Sequence, residues 1–150
     1  MIELNEVVYD IRARDGTWCA LSYPGHPKGC PNFPWCPAKH KDFKTIEGNY
    51  VWYAVIEEFD LASHAEKMKR IHPAWSERQC RNLLYWQGLL RVRLERKAME
   101  VKFKFKPPGV ILNIPEACGI DVFETMSRIG VKIDRYPDVV RKVMLIGKEK

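Results

Sequence analysis

Between Tyr50 and Phe59 the chain reads YVWYAVIEEF, a near-continuous apolar run rich in β-branched and aromatic residues. Such a run suits a strand covered on both faces, and it predicts a strand central in its sheet. VVRKVMLI, from Val139 to Ile146, predicts a final strand, and VILNI, from Val110 to Ile114, a short one. Residues 2 to 9, IELNEVVY, alternate only in part, but their valines and tyrosine favour a first strand. Thr17 to Ser22, after the turn signal Asp15-Gly16, predicts another.

Elsewhere the period is helical. Ser63 and Glu66 stand at capping-box spacing and predict a helix running to about Ile71, ended by Pro73. A second box, Ser76 with Gln79, opens ERQCRNLLYWQGLLRVRLERKA, the longest periodic segment. Leu83, Leu84, Leu90 and Leu94 give it an inward stripe, with Arg78, Arg91, Glu95 and Arg96 in water. The spacing then changes: Val101, Phe103 and Phe105 alternate with Lys102, Lys104 and Lys106, which predicts a lysine-guarded edge strand, with a frayed continuation of the helix as the alternative. Pro107-Pro108-Gly109 breaks it. Gly119 to Ile129 reads as a helix with Asp121 in its first turn and Gly130 at its end. Ala38 to Gly48 is polar and reads as irregular or a single helical turn.

Strands and helices interleave without a repeat or a linker. The expected architecture is α/β or α+β: a single domain, a small mixed sheet, about three helices and a Cys/Pro-rich loop.

That loop, YPGHPKGCPNFPWCP from Tyr23 to Pro37, holds five prolines, two glycines and two cysteines. Each proline removes a backbone donor and fixes φ, so the segment is neither helix interior nor central strand. It needs something to order it, and Cys30 and Cys36 suggest a metal.

Composition changes the picture only at the margins. The chain has 150 residues, 46% hydrophobic and 29% charged, which is the globular range. No apolar run approaches the ~18 residues of a membrane-spanning helix. The acidic, alternating start MIELNEVVYDIRAR is unlike a signal peptide, so a cytoplasmic setting is expected. In a reducing compartment five cysteines argue against a disulfide framework. The net charge of +6 leaves nucleic acid open as a partner without favouring it. KFKFK could pair lysines with phosphates and phenylalanines with bases, but strict alternation sends the two residue types to opposite faces.

The cysteines form the candidate chemistry. Cys30 and Cys36 lie in the loop, Cys80 in the first full turn of the long helix, and Cys118 just before the helix at Gly119. Helix starts carry unpaired N–H groups that favour a thiolate, so the expectation is one four-thiolate site from Cys30, Cys36, Cys80 and Cys118. The bland reading of Cys80 is a core residue on the face of Leu83 and Leu84, stapled to Trp75. Cys118 has the same bland reading. Cys19, in an apolar stretch, is the expected bystander. Five residues separate Cys30 from Cys36, more than structural zinc pairs usually have, and cysteine followed by proline recurs at iron–sulfur sites. Both points lean toward an iron–sulfur cluster, with zinc as the alternative. His26 and His40 flank the loop and could replace one thiolate, while Trp35 could shield the site from water.

PEACGIDVFETMSRIG, from Pro115 to Gly130, resembles the closing motif of a family of predicted metal-binding proteins of unknown function. YPGHPKGCPNF, from Tyr23 to Phe33, is similar to a loop at the head of related proteins. In that family the E-A-C-G-I-D-V segment ends a set of cysteines thought to hold an iron–sulfur cluster. The resemblance implicates Cys30, Cys36 and Cys118; Cys80 matches none of its motifs. The family's ferredoxin-like cysteine run is missing here, where WQGLLRVRLERKAMEVKFKFKPPGVILN holds no cysteine, so one cluster at most is implied. The resulting expectation is a small cytosolic metal protein serving electron or sulfur transfer, with a redox or sulfur-transfer protein as partner. The alternative is a zinc-stabilised module binding nucleic acid or protein. No phosphate loop, H-E-x-x-H or G-x-S-x-G motif points to another chemistry. Asp121 reads as a dipole partner and Glu57-Glu58 as a solvated pair, neither as a catalytic group.

Overall fold

The computed structural model of the chain describes residues 1–9, 43–134 and 137–150. Two eleven-residue strands form its centre, β2 (Tyr50–Asp60) and β4 (Val139–Glu149). They pair antiparallel along their whole length, from Tyr50 opposite Glu149 to Asp60 opposite Val139. Short strands flank them, β1 (Ile2–Leu4) against β2 and β3 (Val110–Leu112) against β4, giving the order β1-β2-β4-β3. Among the described residues every pairing is antiparallel, where a mixed sheet was expected, and the fold is α+β.

The sequence of β2 explains its central place. Trp52 and Ala54 are buried on one face and Val55 on the other, so both faces must be covered. The first face meets Leu4, Val7, Phe43, Leu112, Ile120, Val122 and Met126. The second meets a long helix. Where β3 enters the sheet the approach is too close for side chains. A Cβ on Gly109 would lie 2.7 Å from the carbonyl oxygen of Gly147, and one on Gly147 2.9 Å from Tyr50 and Val110.

Five helices accompany the sheet among the described residues: α1 (Phe43–Ile46), α2 (Leu61–Ile71), α3 (Glu77–Cys80), α4 (Gln87–Lys104) and α5 (Val122–Ser127). α2 follows β2 without a loop, because Asp60 serves as its N-cap. The Ser63 amide donates to Asp60 Oδ1 at 3.0 Å and the Ser63 hydroxyl to Oδ2 at 2.8 Å. Ser63 is therefore the residue that is capped, not the capping residue its spacing to Glu66 predicted. The Ser76–Gln79 box forms as expected, with bonds of 2.7 and 3.2 Å.

The single long helix expected from Ser76 onward is broken. Asn82 caps a 3-10 turn over Leu83–Tyr85, accepting from the Leu84 amide at 3.0 Å. Trp86 turns inward, stacks on Phe59 at 5.3 Å and donates through Nε1 to the Arg81 carbonyl at 3.2 Å. A short polar side chain that bonds its own backbone competes with helix propagation, and a buried indole fixes the new direction. Of the expected stripe, Leu90 and Leu94 are buried, whereas Leu83 and Leu84 lie in the turn and are 53% and 86% exposed.

α4 also runs on into the lysine-alternating segment as far as Lys104, so the helical continuation forms there in place of the expected strand, with Phe105 as its extended cap. Val101 and Phe105 are four apart as well as two-spaced from Phe103, and the helix uses the four-residue relation. Val101 is buried, Phe105 packs on Tyr53, and Phe103 stays exposed. Once a helix has nucleated upstream, adding residues is cheap, and local alternation does not stop it. α5 is shorter than expected, starting at Val122 with Asp121 as N-cap, whose carboxylate accepts from Glu124 at 3.0 Å. Gly130 closes it at φ 78, as its position predicted.

Leu94→Ala empties a fully buried site and should cost about 2–5 kcal/mol in a urea titration, while Leu84→Ala should change stability by less than about 0.5 kcal/mol. Equal effects would contradict the break between α3 and α4. The Ser63 amide, and then its hydroxyl, hold the Asp60 carboxyl below its ordinary 3.8. That carboxylate stabilises the fold fully above the ordinary value, and its contribution fades as pH falls through the folded pKa. Asp60→Asn keeps a capping oxygen, so its urea midpoint should fall less steeply with acid than that of the unchanged protein.

Candidate metal centre

Cys118 ends a 3-10 turn, Pro115–Cys118, that follows β3. Gly119 then takes φ 90, and its amide donates back to Glu116 at 3.1 Å while Ile120 donates to Pro115 at 3.2 Å. The left-handed glycine turns the chain so that Ile120 bridges Tyr9 and the Asp121 amide meets the Val8 carbonyl at 2.8 Å. Thr125, buried on α5, completes the clamp: its Oγ1 accepts from the Val8 amide at 2.9 Å. Cys118 is thereby fixed in the apolar cluster of Val7, Phe43, Trp52, Ile120 and Met126, at 2% exposure. Thr125 had no signal in the sequence, being one polar residue in a short amphipathic turn.

Tyr9 and Ile46 also pack against this cluster. The described chain thus ends at Tyr9 and resumes at Phe43 in the same packed group that holds Cys118. The intervening segment carries Cys19, His26, Cys30, Trp35, Cys36 and His40, all of which lie outside the described residues, as do the strand expected at Thr17 and the proline-rich loop.

Cys80 is elsewhere. It is the last residue of α3 and fully buried, but it does not belong to the cluster of Cys118. α3 packs on α2, whose Leu61 joins Phe59, Trp86, Leu90 and Val140 on the face that α4 covers. Cys118 lies against the opposite face, with Val143 and Leu145. Ligands of one group must converge on it, their sulfurs about 4 Å apart around a single metal ion and farther apart around a multi-iron cluster. The structure does not bring Cys80 and Cys118 together in that way. Trp75, just before the Ser76 cap of α3, stacks on His72 at 3.9 Å and meets Tyr85 at 5.4 Å.

The helix-start argument for both thiols is also corrected. Cys80 closes a single turn, and Cys118 sits at the end of a 3-10 turn, before the Asp121 cap. What recommends Cys118 is its surroundings. An apolar shell limits water and suits a thiolate-bound cluster, although it equally suits a core cysteine. Glu116 is exposed as a residue, yet desolvation of its carboxyl raises its pKa, against a smaller opposing pull from Lys142. Lys142 is lowered, by desolvation first and then by Arg91.

The paired carboxylates are not together: Glu58 is exposed, as expected, whereas Glu57 is mostly sheltered. They point to opposite faces of β2, Glu57 to Lys97 and Glu58 to Arg141 at 2.9 Å. No group of three or more His, Cys, Asp and Glu side chains is gathered for a metal among the described residues, and no helix there is long and apolar enough to cross a membrane. No protein-family model, curated protein or solved structure matches this chain.

With Cys80 at 0% exposure, its thiol should resist a thiol reagent in the native protein and react only as fast as the fold opens. Rapid labelling of Cys80, located by peptide mass, would show that α3 does not bury it.

Proposed function

We propose that this chain is a small metal protein in which Cys30, Cys36 and Cys118 are ligands and Cys80 is a core residue. One observation carries this reading: Cys118 packs in the same cluster as Val7, Tyr9 and Phe43, the residues that bracket the segment bearing Cys30 and Cys36. Two further points support it. The Cys-Pro pairs and the five-residue spacing lean toward iron and sulfide over zinc. The E-A-C-G-I-D-V segment resembles the closing motif of the iron–sulfur-type family, and Cys118 is its cysteine.

The metal group proposed is an iron–sulfur cluster, which would supply one-electron or sulfur-transfer chemistry in a cytoplasmic setting with a redox or sulfur-transfer protein as partner. The chain's own part is to hold the thiolate at Cys118 and to keep water from it with the apolar side chains around it. Three cysteines leave one ligand position for His26, His40 or a small molecule, and the last of these would make the protein an enzyme.

The alternative is a zinc-stabilised module binding nucleic acid or protein, with Lys102 and Lys104 carried by α4 and not by a strand. Anaerobically purified protein should be brown, absorb near ~400 nm and contain iron and sulfide in stoichiometric amounts. Cys118→Ser should lose most of that iron, while Cys80→Ser should keep it even if its urea midpoint drops. Full iron retention in a folded Cys118→Ser protein, or loss in a folded Cys80→Ser protein, would reject this ligand set. Colourless protein with one zinc would replace the cluster with the structural alternative, and metal-free protein would end both.

A further inference from the structure

α4 is apolar on two opposite sides. At 100° per residue, Leu90, Leu94, Ala98 and Val101 share the inner side, and all four are buried against the sheet. The diametrically opposite side carries Leu89, Val92, Arg96, Met99 and Phe103, spaced by three, four, three and four residues. Its four apolar members are 44% to 60% exposed. A surface helix ordinarily needs one apolar stripe, with polar residues opposite. A second stripe with seven-residue periodicity is the seam through which one helix packs along another.

The charges beside the stripe say which helix fits. Arg93 and Glu100 flank it on one side, Glu95 and Lys102 on the other. Neither Arg93 nor Glu100 has an ion-pair partner among the described residues, and Glu95 reaches only Arg91, at 3.8 Å. If a second copy of α4 lies antiparallel across the stripe, centred between Arg96 and Met99, each copy's Arg93 meets the other's Glu100. On the other side each Glu95 meets a Lys102. All four flanking pairs are then of opposite sign. A parallel pair would instead set Glu95 against Glu100 twice, which is repulsive. Arg96, in the middle of the stripe, can lay its aliphatic stem along Met99 of the second copy and keep its guanidinium in water.

We infer that the outer face of α4 is a two-fold, antiparallel self-association surface. The symmetry requires that the same patch serve both copies, and a stripe whose flanking charges complement their own reversal meets that requirement.

Sedimentation equilibrium on the full chain tests this. A monomer–dimer equilibrium is expected between roughly 1 µM and 1 mM, since one helix pair is smaller than a standard interface. The exposed double variant Val92→Glu with Met99→Glu should be monomeric throughout, with an unchanged circular dichroism spectrum. Arg93→Glu or Glu100→Arg alone should weaken the dimer about tenfold, and the two together should restore it. A wild-type protein that stays monomeric, because residues 10–42 or nothing at all cover this face, overturns the inference. So does a dimer that survives the double glutamate variant. A dimer strengthened by Glu100→Arg alone would mean parallel pairing and rejects the antiparallel arrangement.

Discussion

The eleven-pair ladder between β2 and β4 is the constraint on which the rest of this structure depends. Each strand contributes alternately to two faces, so the ladder defines both the cluster around Cys118 and the one under α4. Its far end also anchors the helices. Asp60 closes the ladder opposite Val139 and at once caps α2, while the Ala62 amide donates to Asp138 at 3.0 Å. Arg81, just after α3, pairs with Glu77 at 2.8 Å and with Asp138 at 3.2 Å. A slip of one residue would turn Trp52 and Ala54 to the helix side and dismantle both clusters together.

Much of this was legible in the sequence where one signal dominated. The β-branched and aromatic density of Tyr50 to Phe59 allowed no other element, and the Ser76–Gln79 box and Gly130 terminator have single geometric meanings. The reading failed where two signals competed. Leu83 and Leu84 continue a helical period, but Asn82 and Trp86 interrupt it through a side-chain bond and a buried ring that only tertiary packing reveals. Val101, Phe103 and Phe105 satisfy strand and helix spacing alike, and the upstream helix decided between them. Asp60 outcompeted Ser63 as cap because it stands at the end of a strand that already fixes its backbone.

The candidate site divides along the same line. Thiol chemistry and cysteine–proline spacing are visible residue by residue, but which cysteines meet is a matter of which sheet face each element packs against. Cys80 and Cys118 both precede or occupy helical turns, and from the sequence they look equivalent. The fold separates them because α3 follows α2 to the α4 side, whereas the turn after β3 bends the other way to meet Val8 and Tyr9. Glu57 and Glu58 repeat the lesson at the scale of adjacent residues: neighbours in a strand are strangers in space.

The brevity of β1 has a further consequence. It pairs only with Trp52 to Ala54, so from Val55 to Asp60 the side of β2 away from β4 has no strand beside it among the described residues. A bare strand margin of that length invites another chain to add itself, which is how soluble proteins begin to aggregate. Here Lys97 reaches down from α4, pairs with Glu57 and donates to the Ile56 carbonyl at 3.3 Å, while Glu58 and Arg141 set charges on the other face. A lysine that looks like an ordinary surface residue of a helix thus acts as a guard against unwanted strand addition.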